Sequence, residues 1–167
     1  MVNKADAIEI INYCLDNGIA VWLDGGWGVD ALLGRQTRPH NDIDLFIELE
    51  NRDTFIKILL DKNYREVVEP YTTHDHTVWK DSLDRIVDLH IFRWTIDKNI
   101  IYDGIEFSGT IFDGVGKIDN LVVNCINAES QIEFHRGYEF KDKDIQDVKL
   151  LCEAFNLPVP DEYKSEI

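Results

Sequence analysis

The spacing of apolar residues along the first third of the chain predicts helices and strands in alternation. Residues 4–17 carry apolar side chains at helical intervals and predict a first helix. Residues 19–24 are rich in β-branched and aromatic side chains, which is typical of a strand. A Gly-Gly turn then opens a short helix, and residues 42–48 predict a second strand. Residues 52–62 again place apolar side chains on one helical face, with Asn51 in the N-cap position.

The rest of the chain predicts several short strands followed by two helices. The strands are expected at 64–69, 77–80, 85–92, 100–107 and 121–126, and the helices at 128–138 and 142–157. This order predicts an α/β (α+β) domain with a mixed β-sheet flanked by helices. We expect residues 1–126 to form the core and residues 127–167 to form a C-terminal helical extension packed on it.

The composition describes a folded domain with a strongly negative charge. A chain of 167 residues can bury a real core, and the 44% apolar content with 8 Phe, 6 Tyr and 4 Trp excludes a disordered protein. Lys and Arg number 17 against 32 Asp and Glu, which gives a formal charge of −15. Such a field repels nucleic-acid phosphates and anionic lipid heads and attracts cationic small molecules. We therefore expect no nucleic acid and no membrane among the partners.

The cysteines and the N-terminal residues predict a cytoplasmic protein. Cys14, Cys125 and Cys152 are far apart and show no metal-binding spacing. An odd number of cysteines without a signal peptide is typical of a reducing compartment, where each thiol acts as a small apolar group. Charged residues interrupt the first helix every few positions, so it is neither a secretory signal nor a membrane span.

Two aspartates occupy the strand predicted at 42–48. Because side chains alternate along a strand, Asp42 and Asp44 point to one face while Ile43 and Leu45 point to the other. The two aspartate Cα atoms would lie about 6.5–7 Å apart, so both carboxylates can reach common cations. Without a counter-charge they would repel each other, and a divalent metal removes that cost. The simpler interpretation is an exposed strand face with two surface aspartates.

A third aspartate and a histidine lie in the strand predicted at 85–92. If this strand is next to the first, Asp88 brings a third carboxylate to the same site. Divalent cations held by carboxylates about 3.5–4 Å apart form the two-metal arrangement of phosphoryl and nucleotidyl transfer, and Mg²⁺ suits such a site. His90 shares the face of Asp88 and either orients a carboxylate, contacts substrate or plays a structural role.

The Gly25-Gly26 pair lies between a strand and a helix. Glycines at this place let the backbone approach a phosphate, and the amides at the helix N-terminus favour its negative charge. Any tight turn can also demand two glycines. Followed by a polar loop and the acidic strand, however, the pair favours a phosphate site beside a metal site.

These motifs together resemble a known superfamily. Gly25-Gly26, the Asp42-Ile43-Asp44 strand and Asp88 resemble the nucleotidyltransferases related to DNA polymerase β. The segment WLDGGWGVDALLGRQTRPHNDIDL is most similar to the lincosamide nucleotidyltransferases. The group it resembles second best is the aminoglycoside 2″-nucleotidyltransferases. Residues 86–90 and 133–151 also look like the lincosamide group. The resemblance spans most of the chain, but it is thin between 49 and 84.

The resemblance implies transfer of a nucleoside monophosphate, expected to be AMP, from an NTP to a hydroxyl of lincomycin or clindamycin. Asp42 and Asp44 would hold two Mg²⁺ ions, with Asp88 completing the set and serving as the candidate proton acceptor. Gly25 and Gly26 would contact the phosphates of ATP or GTP. The residues that resemble the family's basic loop, and that are either triphosphate contacts or solvated charges, are Arg35, Arg38 and His40.

The drug pocket is expected around aromatic and polar residues in the middle and near the end of the chain. Tyr71, His74, His76 and Trp79 would line it, although an ordinary hairpin explains these four residues equally well. His135 and Tyr138 match the family's F-H-x-G-Y pattern and either face the drug or anchor the helical tail. A homodimer is common in this family, but no residue of the sequence points to an interface.

Two other functions compete with a lincosamide nucleotidyltransferase. An aminoglycoside 2″-nucleotidyltransferase would use the same metal site and would also suit the acidic charge. A regulatory or antitoxin-type nucleotidyltransferase module would typically show a Gly-Ser turn, whereas this chain has GGWGVD. Such a module would also be expected to lose an acidic residue, and all three candidates are present.

Overall fold

A computed structural model describes all residues, 1–167, as one mixed β-sheet with helices packed on it. The five helices are α1 (Lys4–Leu15), α2 (Gly25–Leu33), α3 (Arg52–Asp61), α4 (Ala128–Phe134) and α5 (Asp142–Phe155). The nine strands are β1 (Trp22–Asp24), β2 (Asp42–Glu48), β3 (Arg65–Val67), β4 (His76–Lys80), β5 (Ile86–Trp94), β6 (Ile100–Tyr102), β7 (Ile105–Phe107), β8 (Gly114–Ile118) and β9 (Leu121–Cys125). The predicted α/β class with a mixed sheet is confirmed.

The sheet places β2 at its centre. The strand order is β3-β4-β5-β2-β1-β9-β8, and the β6–β7 hairpin extends from β5. β2 is parallel to β5 and β1 is parallel to β9, while the other pairs are antiparallel. The parallel β2–β5 pair is therefore the feature that puts two distant segments of sequence side by side.

One face of the sheet carries the main hydrophobic core. Ile43, Leu45 and Ile47 of β2 are fully buried there, together with alternate residues of β1 and β5 and the apolar faces of α1 and α3. Because side chains alternate along a strand, this packing turns the even-numbered residues of β2 to the opposite face. The hydrophobic effect on one face thus fixes the direction of the acidic side chains on the other.

The opposite face is covered only over part of its area. Phe46, Phe92, Phe112 and Trp22 form an aromatic cluster beneath the β6–β7 hairpin and the 3₁₀ turn at Gly109–Asp113. Next to this cluster, at the starts of β2 and β5, the same face carries Asp42, Asp44 and Asp88 and remains partly accessible.

Helix α2 joins the sheet to the last two helices. Its Trp27 and Ala31 belong to the main core, whereas Val29 packs against Val148 and Leu151 of α5. The C-terminal helices therefore lie beside the turn where β1 enters α2. The division into a core and an extension at residue 126 stays a prediction.

Several predicted boundaries were wrong for local reasons. Strand β8 was missed, because its two glycines hide the apolar pattern, and Gly116 is needed where α2 packs closely over the strand. The segment predicted as one strand at 100–107 is a hairpin that turns at Asp103-Gly104, both with positive φ. The prediction of Asn51 as the N-cap residue of α3, by contrast, is confirmed, although its side chain makes no capping hydrogen bond. No helix is long and apolar enough to cross a membrane.

Candidate functional site

A row of three carboxylates crosses the sheet at its open face. In the strand register, Asp24 at the end of β1 pairs with Asp44 of β2, and Asp44 pairs with Asp88 of β5. Asp42 lies two residues before Asp44 on the same face of β2. The structure thus brings the three predicted aspartates together and adds Asp24, which the sequence interpretation missed. Its signal was an acidic residue directly before the glycine pair, at a strand end.

The crowding of the carboxylates disfavours the ionised forms of two of them, Asp42 and Asp24. Burial and the charges of Asp44 and Asp88 raise the pKa of Asp42 above its usual range. Burial and the charge of Asp44 likewise raise the pKa of Asp24. A cation would relieve this repulsion, and a set of carboxylate oxygens suits Mg²⁺. The residues present therefore fit a divalent metal.

The glycine pair allows two side chains to approach the turn closely. Gly25 has a φ of +56°, and a Cβ built on it would lie 2.2 Å from the Asp44 Oδ2 atom. A Cβ on Gly26 would lie 2.3 Å from the His40 Nδ1 atom and 2.8 Å from the Arg38 Nη2 atom. Both glycines are thus required by the neighbouring side chains, and both also line the cavity beside the carboxylates.

Arg38 of the predicted basic loop lies at this cavity and is held by the last helix. Its Nε and Nη2 atoms donate to the Asp147 carboxylate of α5 at 3.1 and 2.5 Å. Its Nη1 atom lies 3.0 Å from the His40 Nδ1 atom, and His40 Nε2 is hydrogen bonded to Asp30 at 2.5 Å. His40 is buried in this network. Its structural task is to position Arg38 beside Gly26.

Arg35, the other predicted basic residue, lies elsewhere. It is exposed and lines a separate cavity with Lys4 and Lys117, away from the carboxylates. Arg35 is therefore left out of the site. The positive charge at the acidic cavity comes instead from Lys143 at the start of α5. Its charge opposes, in part, the rise in the pKa of Asp42 that burial and Asp44 cause. The sequence interpretation missed Lys143, because only the packing of α5 on α2 brings it there.

The acidic cavity is small and lined mainly by polar groups. Its volume is about 190 Å³, and it is lined by Asp24, Gly25, Gly26, Arg38, Asp42, Asp44, Phe134, His135, Tyr138, Lys143 and Asp144. His135 is buried, its Nδ1–H donates to the Gln131 carbonyl, and its own carbonyl accepts from the Tyr163 hydroxyl. Tyr138 is about half exposed. Both residues line the cavity on the side of the glycine turn, and the hydrogen bonds of His135 also anchor the C-terminal segment.

On the other side of the carboxylate row, histidines and tyrosines form a second surface. His76 Nε2 lies 2.6 Å from Asp88 Oδ1, and the exposed Tyr71 ring lies 5.1 Å from the His76 ring. His90 is stacked on Phe46 and its Nδ1 atom is 2.8 Å from the Tyr102 hydroxyl. Burial opposes a charge on His90, but the nearby aspartates raise its pKa above its ordinary value.

Trp79 does not reach this surface. Its side chain is buried in the main core on the opposite face, where its Nε1–H donates to Thr77. The prediction that Trp79 lines a drug pocket is therefore wrong. Side chains alternate along β4, so His76, Val78 and Lys80 share the face of the carboxylates and Trp79 points to the other face. His74, from the same segment, is exposed and hydrogen bonded to Asp75.

The chain is similar to known antibiotic-modifying proteins. A family model described as aminoglycoside-2″-adenylyltransferase matches residues 7–151. A lincosamide resistance protein from Staphylococcus haemolyticus is 30% identical over 154 residues, covering 90% of this chain and 94% of the relative. A 2″-aminoglycoside nucleotidyltransferase from Klebsiella pneumoniae is 49% identical over only 44 residues, which cover 26% of this chain and 25% of the relative.

Solved structures show the same fold. A crystal structure of the lincosamide antibiotic adenylyltransferase LnuA with lincomycin bound has a TM-score of 0.79 at 27% identity, covering 90% of this chain and 96% of that chain. A crystal structure of ANT(2″)-Ia in complex with adenylyl-2″-tobramycin has a TM-score of 0.73 at 22% identity, covering 91% and 88%. The second likeness concerns the fold alone.

The contact between Gly25 and Asp44 leads to a testable difference between two glycines. Gly18 also has a positive φ, +69°, but no atom lies within 4 Å of a Cβ built there. We expect Gly18→Ala to cost about 1 kcal/mol of unfolding free energy for backbone strain alone. Gly25→Ala should cost at least ~1 kcal/mol more, because Asp44 must move. Urea denaturation of both variants measures this, and equal losses would contradict the close contact.

The raised pKa of Asp42 predicts the sign of a pH effect on stability. A carboxyl with a raised folded pKa contributes stability below its unfolded pKa of about 3.9 and loses that contribution as pH rises through the folded value. In EDTA, Asp42→Asn should therefore be more stable than the natural chain at neutral pH, and the gain should disappear near pH ~4. Denaturant midpoints across this range measure it. The exposed Asp97→Asn is the control, and a less stable Asp42→Asn at neutral pH would refute the prediction.

Proposed function

The chain belongs to the aminoglycoside-2″-adenylyltransferase family of antibiotic nucleotidyltransferases, and we propose that its own substrate is a lincosamide, to which it transfers AMP from ATP. The observation that supports this proposal is the extent of the similarity. In sequence, the lincosamide resistance protein aligns with 90% of the chain at 30% identity, whereas the 2″-aminoglycoside nucleotidyltransferases align with 22–26% of it. The aminoglycoside family model and the ANT(2″)-Ia fold also extend over most of the chain, so they support the reaction class but do not separate the two substrates. A shared reaction explains a short common segment, and a shared substrate better explains likeness along the whole chain.

The carboxylate row divides the site into a nucleotide side and a drug side. Gly25, Gly26, Arg38 and Lys143 lie beside Asp24 and Asp44, so their amides and positive charges can hold the phosphates of ATP. On the other side of the row, the ring surface near Asp88 is available for the drug. The transferred phosphorus would then lie above Asp44 and Asp88, between the two substrates.

In the proposed reaction, Asp42, Asp44 and Asp88 would hold two Mg²⁺ ions, which would polarise the drug hydroxyl and neutralise the charge of the leaving pyrophosphate. The hydroxyl oxygen forms a bond to the α-phosphorus while the bond between the α- and β-phosphates breaks. Asp88 would accept the hydroxyl proton. It is the aspartate of the row that contacts His76 of the proposed drug surface, at 2.6 Å. Arg38 and Lys143 orient the triphosphate, so the protein contributes mainly position and charge.

The drug side offers flat rings and acceptors rather than a deep apolar pocket. The Tyr71 and His76 rings lie 5.1 Å apart with a tilt of 35°, and the His90 ring lies 4.4 Å from that of His76. The net charge of −15 favours a substrate with a basic amine. Tyr138 and His135, on the nucleotide side, would contact the drug only where it reaches over the carboxylates. A homodimer and a cytoplasmic location remain part of this proposal.

An aminoglycoside is the second candidate substrate. The family model carries the aminoglycoside-2″-adenylyltransferase description, and the short matches to aminoglycoside enzymes reach 49% identity. A polycationic drug would also be attracted to the acidic face. A regulatory module without catalysis is disfavoured, since all of the predicted metal aspartates are present and close together.

A drug panel tests the proposal directly. The protein is incubated with Mg²⁺, ATP and GTP together with lincomycin, clindamycin, kanamycin and tobramycin, and each drug is analysed by mass spectrometry. We expect an adenylyl mass on the lincosamides alone. An adenylyl mass on kanamycin or tobramycin alone would show that the substrate is an aminoglycoside, the second candidate. No gain on any drug, with nucleotide still bound, would favour the regulatory module.

Removing one carboxylate should abolish transfer without unfolding the protein. Asp44→Asn keeps the shape of the side chain but lacks the charge that holds the cations and faces both substrates. We expect transfer to fall at least about a hundredfold. Asp97→Asn, an exposed residue far from the row in the β5–β6 turn, should transfer normally. Full activity in Asp44→Asn would exclude the proposed metal role.

A further inference from the structure

Two imidazoles and one carboxylate converge on the drug side of the carboxylate row. His76 and His90 are directly opposed on β4 and β5, with ring centroids 4.4 Å apart, and Asp88 lies two residues before His90 on the same face of β5. One ligand atom from each of the three residues lies within 4.8 Å of the other two. His76 comes from the variable middle of the chain, where the sequence resemblance is thin.

The His90 Nε2 atom has no hydrogen-bond partner although it is buried. The residue is 8% exposed, and this nitrogen lies 3.8 Å from Asp88 Oδ1 and 3.8 Å from Asp44 Oδ1. A buried imidazole nitrogen without a partner is costly, so it implies a ligand that the protein atoms do not provide. The nitrogen is aimed at the space between the carboxylates.

Two further contacts fix the His90 ring for metal binding. The ring is stacked on Phe46 at 4.7 Å, and its Nδ1–H can donate to the Tyr102 hydroxyl oxygen at 2.8 Å. In that tautomer the Nε2 atom carries a free lone pair toward the carboxylates. A hydrogen bond from the far nitrogen of a histidine is the usual support of a metal ligand.

We propose that His76, Asp88 and His90 form a binding site for a borderline transition-metal ion, with Zn²⁺ as its representative. Imidazole nitrogen suits zinc and its neighbours, whereas Mg²⁺ prefers oxygen ligands. In a tetrahedral zinc site with bonds of about 2.0–2.2 Å, ligand atoms lie about 3.3 Å apart. The observed separations of 2.6 and 3.8 Å at Asp88 lie on either side of that value, so small side-chain rotations suffice.

A metal ion at this site would compete with the transfer reaction. Asp88 is common to the His76–Asp88–His90 site and to the proposed Mg²⁺ site, so a bound zinc ion withdraws it from both its metal and its proton-accepting role. This consequence rests on the proposed function, whereas binding of the ion itself does not. Inhibition by zinc would therefore be stronger than expected from nucleotide chelation alone.

Binding is tested without nucleotide or drug, using Co²⁺ as an optical probe and Zn²⁺ as its competitor. The protein should bind Co²⁺ with the intense visible absorption of a four- or five-coordinate ion that has nitrogen ligands, and Zn²⁺ should displace it while a large excess of Mg²⁺ does not. His76→Gln should weaken Co²⁺ binding at least about tenfold. His74→Gln, two residues away and 67% exposed at its side chain, is the matched control and should bind as the natural chain does.

The result that would overturn the inference is equally specific. If His76→Gln keeps the Co²⁺ spectrum, or if Mg²⁺ removes the ion readily, the metal is held by the carboxylates alone. Circular dichroism verifies the fold of His76→Gln, and Tyr102→Phe, which removes the Nδ1 acceptor, gives an independent loss of affinity of about tenfold or more. Drug modification without such Co²⁺ binding refutes this inference alone, whereas Co²⁺ binding without drug modification refutes only the proposed function.

Discussion

The repulsion among aspartates at the starts of β2 and β5 is the constraint on which the rest of the site depends. The parallel pairing of these strands aligns Asp44 with Asp88, and β1 adds Asp24 to the same row. Such an arrangement disfavours the ionised form of Asp42 and is stable only because the opposite face of the sheet is a tightly packed apolar core. A bound cation would reduce the repulsion between these carboxylates. The negative potential of the row therefore favours the binding of the metal that the proposed reaction requires.

Helix α5 brings positive charge to the acidic cavity in two ways. Helix α5 holds Arg38 through Asp147 and places Lys143 at the cavity, while its apolar face packs on α2. The ion pair between Arg38 and Asp147 is nearly buried, so losing either partner would leave an uncompensated charge beside the glycine turn. Residues 134–144 therefore line part of the cavity, in the segment that carries the family resemblance at His135 and Tyr138.

The parts predicted from sequence were those that depend on local periodicity. The two faces of β2 followed from alternation, and the class of fold followed from the order of helices and strands. Asp24 and Lys143 could not be placed, because their positions depend on strand register and on helix docking. Trp79 was misplaced because the short strand β4 carries large apolar or aromatic side chains on both faces. Only the register of β4 against β5 shows which face lies in the main core.

The two surfaces beside the carboxylate row differ in the parts of the chain that build them. The cavity proposed for the nucleotide is lined by the segment from the glycine turn to β2 and by residues 134–144 near the two C-terminal helices. The drug side is built from β4, β5 and β6, where Tyr71, His76 and Tyr102 come from separate strands and loops. His76 is hydrogen bonded to Asp88, so this surface is connected directly to the carboxylate row. If the drug binds there as proposed, the rings of β4, β5 and β6 select the substrate while the aspartates carry out the transfer.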